Sequence, residues 1–286
     1  MTVQEATFLL LKKLRQVYDE GETQTMVDWV MEALTGAGKV ERMMYKHEPL
    51  GNLEEKKLLS VISRLIKQEP VQYVLGYAWF SGLRLKVNKH VLIPRPETDE
   101  LVDWITCDNL TNAHNGTLKI LDIGTGSGCI PIAIKKKLPS AAVVACDVST
   151  EAIALASHNA TVHHTTIDFI QTDFLDEKNW ALFAQYDIIV SNPPYIPQGE
   201  KVNMHQNVLA YEPHLALFVP NDDALLFYEK IAKFCQQHLL PNGCLYFEIH
   251  ENFGEATLQL LHRYGFNSEL KKDMQQKDRM IKSSLY

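Results

Sequence analysis

Up to about residue 75 the apolar positions recur at helical spacing, and later they fall in short continuous runs. Thr2 and Glu5 make a capping box ahead of Phe8–Leu14, the first predicted helix. The second runs from about Thr23 to Leu34 and stops at Gly36. The third covers Asn52–Gln68, with Asn52 and Glu55 at its start and Pro70 beyond its end. Leu58, Leu59, Ile62, Leu65 and Ile66 are expected to face a small core. A bridge follows over Tyr73–Pro96. Within it Phe80–Val87 alternates in part around Gly82 and reads as a hairpin. From Lys119 onward strands and helices alternate, which predicts an α/β fold with a doubly wound parallel sheet. Its strands are expected at Ile120–Ile123, Ala142–Asp147, Thr166–Thr172, Tyr186–Ser191 and Cys244–Ile249. Arg279–Leu285 is expected as a late, antiparallel strand in the edge region. The expected domains are 1–75, helical and substrate-docking; 76–96, a hairpin linker; and 97–286, catalytic.

Composition narrows the class. A chain of 286 residues can bury a large core. No apolar stretch is long enough for a membrane span, and Met1–Glu5 lacks the basic start of a secretory signal, so a soluble cytoplasmic protein is expected. Cys107, Cys129, Cys146, Cys235 and Cys244 are odd in number and never spaced Cys-x-x-Cys, which argues against a disulfide framework or a structural zinc site. The formal net charge is −7, and residues 1–75 hold 10 basic and 11 acidic side chains. Nothing in this balance suggests the basic face of a protein that lives on bare nucleic acid.

The chemistry concentrates where strands end. Leu121–Ile123 runs into Gly124-Thr125-Gly126-Ser127-Gly128, and Cys129–Ile134 then opens a helix that tolerates Pro131 in its first turn. Such a turn lets a ligand approach the backbone and aims free N–H groups at it. The next strand ends in Asp147, 19 residues after Gly128, where a βαβ unit places the carboxylate that takes a ribose diol. Nicotinamide and flavin enzymes have glycine turns too, and a tight turn without a ligand is the bland alternative. Asp173-Phe174 follows the third strand. Asn192-Pro193-Pro194-Tyr195 follows the fourth. Two prolines stiffen this turn, the asparagine oxygen and loop carbonyls accept hydrogen bonds, and the tyrosine offers a flat face. Together they suit a planar group bearing an NH2, such as an amide or a nucleobase amine. In a doubly wound sheet all four motifs lie on one rim. His158, His163 and His164 read as a polar loop after a helix rather than as a metal site.

These residues resemble the HemK/PrmC family of protein-(glutamine-N5) methyltransferases, which modify peptide chain release factors. The resemblance covers nearly the whole chain. It includes Pro70–Gly76, Phe80-x-Gly82, Val91–Thr98, Leu121–Gly128, Ser191–Ile196, Tyr211-Glu212-Pro213 and Asp278-Arg279. Ile93-Pro94-Arg95-Pro96-Glu97-Thr98 separates this family from other Asn-Pro-Pro-Tyr methyltransferases. Glu248-Ile249-His250 departs from the family's Glu-Ile-Gly, and Phe218–Asp223 departs from its glycine-rich stretch. Both departures bear on local loop shape.

The resemblance implies a Rossmann-like class I methyltransferase sheet and S-adenosylmethionine as methyl donor, with S-adenosylhomocysteine as product. It implies that Gly124, Thr125, Gly126, Ser127 and Gly128 cradle the methionine part, Asp147 the ribose and Phe174 the adenine face. Asn192, which also borders the donor, and Pro193 would hold the glutamine amide, beside Pro194 and with Tyr195 on its plane. Arg95, Glu97 and Thr98 would close the site. A release factor is the implied protein substrate, met by a monomer that needs no metal, membrane or nucleic acid. The runner-up reading is a nucleic-acid amino-methyltransferase acting on adenine N6 or guanine N2. A third is a donor-binding protein without catalysis.

Overall fold

A computed structural model describes residues 1–110 and 117–286, which form two compact units. One comprises Met1–Tyr77 with His205–Tyr211, the other Ala78–Met204 with Glu212–Tyr286.

The first unit holds helices Val3–Leu14, Glu20–Thr35, Lys39–Met44, Asn52–Leu65 and Val71–Leu75, together with Gln206–Tyr211. The capping box is present. Glu5 N donates to Thr2 Oγ1 at 3.2 Å and Thr2 N to Glu5 Oε2 at 2.8 Å. The second helix starts earlier than the apolar pattern suggests, because Asp19 accepts from Glu22 N and caps it. Gly36 ends it with φ of 72°. Leu10, Leu14, Val30, Met31, Leu58 and Leu65 form a core without solvent exposure. Leu59 and Ile66 do not join it, being 55% and 39% exposed. Leu58, Ile62 and Leu65 already complete one helical stripe; Leu59 is turned off it, and the helix closes at Leu65 before reaching Ile66 or Gln68. Lys39–Met44 and Val71–Leu75 span too few turns to show a period in the sequence.

A hairpin follows, of β1 (Tyr77–Phe80), whose first residue ends the first unit, and β2 (Leu83–Lys86). Ser81 and Gly82 turn it with φ of 50° and 73°, the twist that paired strands favour. Then come β3 (Lys119–Ile123), β4 (Ala142–Asp147), β5 (Asp168–Gln171) and β6 (Tyr186–Ser191). The pair β7 (Ile196–Pro197) and β8 (Phe218–Val219) follows, then β9 (Leu239–Glu248), β10 (Phe266–Lys272) and β11 (Asp278–Leu285). Seven strands form the main sheet in the order β10-β11-β9-β6-β3-β4-β5. From β9 to β5 all neighbours run parallel; β11 is antiparallel to both β9 and β10.

Strand β11 therefore lies one place in from the edge, and β10 takes the edge. Phe-Asn-Ser-Glu-Leu-Lys-Lys gives β10 little apolar signal, as suits a strand exposed along one side. Strand β9 begins at Leu239 rather than Cys244. Its register against β6 shifts between Tyr186 and Ile188, opposite Pro241-Asn242-Gly243, which hides the first half of the strand from an apolar pattern.

Alternate residues of each strand feed separate cores. Leu121, Ile123, Ile189, Leu245 and Phe247 pack with Tyr228 and Phe234 of helix Leu226–His238. Ile120, Val143, Ile188, Val190 and Tyr246 pack with helices Pro96–Leu110 and Cys129–Lys137. The carboxyl ends of β3, β4, β5, β6 and β9 thus share one rim, where ligands of such sheets bind.

Candidate active site

The glycine turn is held by backbone bonds before any side chain contributes. Gly124 N and Thr125 N both donate to Cys146 O, at 2.9 and 3.0 Å. Gly128 has no room for a side chain. A Cβ there would meet Ala156 Cβ at 3.0 Å and Ile132 Cδ1 at 3.1 Å, and its φ is 79°. Asn159 adds a clamp that sequence reading misses. Its Nδ2 donates to Ser127 O at 2.9 Å and to Lys86 O at 3.0 Å, and its Oδ1 accepts from Lys86 N at 2.8 Å. A polar residue within a helix gives no outward sign of joining a hairpin to the glycine turn.

Asp147 ends β4 beside this turn. Its Oδ2 accepts from Gly126 N at 2.8 Å and its Oδ1 from Ser149 N at 2.9 Å. Burial raises its pKa, with those backbone N–H groups opposing the shift. Asp122, on β3, is fully buried, and neither of its oxygens has a hydrogen-bond partner among the described residues. Burial pushes its pKa up to about 7; the neighbouring Thr125 hydroxyl opposes the rise and the Asp147 carboxylate adds to it. The buried hydroxyls of Thr125 and Ser127 are likewise unpartnered among the described residues. Orphaned buried oxygens on one turn are costly unless something meets them.

A cavity of about 440 Å³ opens at the rim, within the usual range for a small-molecule site. Gly124, Gly126, Asp147 and Phe174 line it, and so do Asn192, Pro193 and Pro194. Phe174 serves two roles: it faces the cavity, and it packs on Trp180, Phe183 and Phe234 with ring centroids 5.9, 6.1 and 5.1 Å away. Thr125, Ser127 and Gly128 are not part of the lining. Lys89–Leu92, Ser191, Pro213 and Phe227 complete parts of the wall. Of these, Val91, Leu92, Ser191 and Pro213 belong to motifs of the resemblance, while Phe227 carries no signal in the sequence.

The asparagine–proline turn is fixed from several sides. Ser191 Oγ donates to Ile123 O at 2.7 Å, joining β6 to β3 just before the turn. Asn192 Nδ2 donates to Thr98 Oγ1 at 3.1 Å, and Thr98 Oγ1 to Glu248 Oε2 at 2.6 Å. Tyr195 points its hydroxyl at Glu248 Oε1, 3.2 Å away, and is not part of the lining. Burial raises the pKa of Glu248, while Thr98, Arg279 and Tyr195 act in the opposite direction.

Arg95 and Glu97 also stand outside the lining. Arg95 Nη2 is 2.6 Å from Glu212 Oε1, and Glu212 Oε2 accepts from Ile93 N at 3.3 Å. Glu97 sits in the first turn of helix Pro96–Leu110. The two departures from the family pattern lie close by. His250 Nδ1 accepts from Asn252 N at 3.1 Å, and its Nε2 is 3.2 Å from Glu200 Oε2. Asn221 Oδ1 accepts from Gly199 N at 2.6 Å, beside the β7–β8 pair. Among the described residues no group of three or more His, Cys, Asp or Glu is placed to hold a metal ion, and no helix is long and apolar enough to cross a membrane.

Comparison with known proteins agrees with this architecture. Residues 105–215 match the methyltransferase small domain and residues 10–76 the PrmC N-terminal domain. Among solved structures, the hMettl16 catalytic domain in complex with MAT2A 3′UTR hairpin 6 shares the fold. Its TM-score is 0.54 at 15% identity, over 82% of each chain. A glycine turn after the first parallel strand, an acid after the second and an asparagine–proline turn after the fourth make this a class I methyltransferase fold. The release factor glutamine methyltransferase of Flavobacterium psychrophilum is 45% identical over 95% of both chains, and that of Bacteroides thetaiotaomicron is 39% identical over 96% of this chain and 97% of its own. The chain belongs to the release factor glutamine methyltransferase family.

Proposed function

We propose that the protein transfers a methyl group from S-adenosylmethionine to the side-chain amide nitrogen, N5, of a glutamine in a peptide chain release factor. The observation that carries this reading is the shared cavity. The glycine turn, the acid of β4 and the Asn192–Pro194 turn face the same space, so donor and acceptor can meet there.

The donor fits the residues present. It carries a sulfonium and an ammonium, and the Asp147 carboxylate lines the cavity beside the turn. Gly124 and Gly126 would take the methionine part, Asp147 the ribose and Phe174 the adenine. The bound donor supplies an already activated methyl group.

The protein's own task is the acceptor. An amide nitrogen is a poor nucleophile because its lone pair is delocalised into the carbonyl. Asn192 Oδ1 and the Pro193 carbonyl each accept one N–H of the glutamine amide and turn the nitrogen toward the methyl carbon. These N–H groups become more acidic as the new bond forms, so both hydrogen bonds strengthen toward the transition state. Orientation of this kind supplies up to roughly 7–11 kcal/mol for well-placed reactants. Pro194 keeps the turn rigid, while Tyr195 and Arg95 brace the wall from behind through Glu248 and Glu212.

A side chain as small as glutamine buries too little surface to be selected by itself, so recognition needs a wider protein contact. The helical unit is the proposed source of that contact, with the enzyme acting as a monomer and without nucleic acid. The test is incubation with radiolabelled donor, purified release factors, and DNA and RNA controls, followed by mass spectrometry. Label on one glutamine of the factor is expected. Label on nucleic acid with none on the factor would overturn the reading.

A further inference from the structure

We infer that Glu248 and Thr98 are positioning residues that set which face of the Asn192 amide meets the acceptor. The inference rests on the glutamine reading above and adds to it a fixed direction of hydrogen bonding.

The geometry begins at a buried carboxylate. Glu248 lies at the carboxyl end of β9 and is 1% exposed; Thr98 is 3% exposed. Two hydroxyls point at Glu248: Thr98 Oγ1 at Oε2, 2.6 Å away, and Tyr195 Oη at Oε1, 3.2 Å away. An ionised carboxylate only accepts hydrogen bonds, so Thr98 must give its single proton to it. Thr98 Oγ1 is then left with lone pairs alone on its other side. Its remaining neighbour is Asn192 Nδ2 at 3.1 Å. The opposite amide orientation would put two acceptors in contact. Asn192 is therefore held with its NH2 toward Thr98 and its Oδ1 as the atom left for a ligand.

That direction is what an amide acceptor requires. The glutamine nitrogen brings two N–H donors and must meet oxygens. An asparagine turned the other way would offer NH2 to NH2 and push the nitrogen out of line. The same carboxylate also takes the Tyr195 proton, so one buried charge fixes the first and last residues of the Asn-Pro-Pro-Tyr turn. The direction belongs to the ionised carboxylate: burial works against that form, and the Thr98 and Tyr195 hydroxyls, together with Arg279, work for it.

The experiment compares four variants by donor affinity, thermal midpoint, and kcat and KM on a purified release factor. Thr98→Val and Glu248→Met break the chain of bonds. Thr98→Ser keeps it, and Glu248→Gln can still present an oxygen to Thr98. Loss of an outer-shell partner that orients a metal ligand typically lowers activity about 10- to 100-fold, and the same scale is expected for a group that orients Asn192. The expected result is a fall of that size in kcat for Thr98→Val and Glu248→Met, with donor affinity kept. Thr98→Ser should stay close to wild type, and Glu248→Gln should lie above Glu248→Met. A wild-type kcat in Thr98→Val overturns the inference. So does a loss of donor binding that is equal in Thr98→Val and Thr98→Ser, since that marks a general packing role. If Thr98→Val does not fold, the Glu248→Gln and Glu248→Met pair decides by the same criterion. Wild-type enzyme that labels no release factor would defeat the glutamine reading instead, and so the two failures are told apart.

Discussion

Arg95 holds Glu212 at 2.6 Å, across 117 residues of sequence. This pair joins the Ile-Pro-Arg-Pro segment to Tyr-Glu-Pro, whose Pro213 lines the cavity. The carboxylate is buried and the guanidinium is a third exposed. Arg95→Ala leaves that carboxylate with Ile93 N and no cation. Breaking one side of a buried pair costs about 3 kcal/mol at the lower end of such cases. Arg95→Ala should therefore lower the denaturation midpoint and raise KM for the release factor. Urea unfolding and steady-state kinetics check this; an unchanged midpoint would show that the pair is replaceable.

Asp147→Asn should weaken binding of S-adenosylmethionine. The two ribose hydroxyls lose a charged acceptor, worth roughly 1.5–3 kcal/mol for hydrogen bonds of this type. Titration calorimetry reads the change directly. Binding of a nicotinamide dinucleotide with none of the methyl donor would contradict the assignment of this cavity.

Asn192→Ala should fold as the wild type does, yet lose most of its turnover. Removing one preorganised hydrogen-bonding group at a reacting centre costs about 10²–10³ in rate. Single-turnover methylation of a release factor is the appropriate measurement. Near-normal turnover would reduce the Asn-Pro-Pro-Tyr turn to a structural element.

Asp122 should make stability depend on pH in a recognisable way. Its folded pKa, about 7, lies above its ordinary value of 3.8. The folded state therefore holds a proton that the unfolded chain has released between these two values. The contribution is fully present below about pH 4 and is lost as pH rises to 7, up to about 4 kcal/mol. Asp122→Asn removes this dependence, so the variant should gain stability relative to wild type as pH rises. Parallel curves for both proteins from pH 4 to 8 would show that Asp122 titrates normally.

Much of the rim was legible because strands buried on both faces appear as unbroken apolar runs, and because glycine, proline and asparagine mark the turns that follow. Lys119–Ile123, Ala142–Asp147 and Tyr186–Ser191 follow that logic closely. Phe266–Lys272 escaped because an edge strand carries polar residues along most of its length. Asp122 is visible in the sequence but looks like one residue of a strand; only its full burial, without a partner among the described residues, sets it apart. The link from Thr98 to Glu248 spans 150 residues, and no local pattern can reveal such a pairing.

The bond from Gly126 N to Asp147 Oδ2, with those from Gly124 N and Thr125 N to Cys146 O, has a thermodynamic consequence. The chain itself makes all three, so the glycine turn loses its conformational freedom when the protein folds. A ligand arriving at the rim does not have to order that backbone, and its affinity is not reduced by the roughly 1–2 kcal/mol per residue that such ordering costs. Asp147 therefore acts twice, once during folding as the brace of an otherwise floppy turn and again at binding as an acceptor already in position.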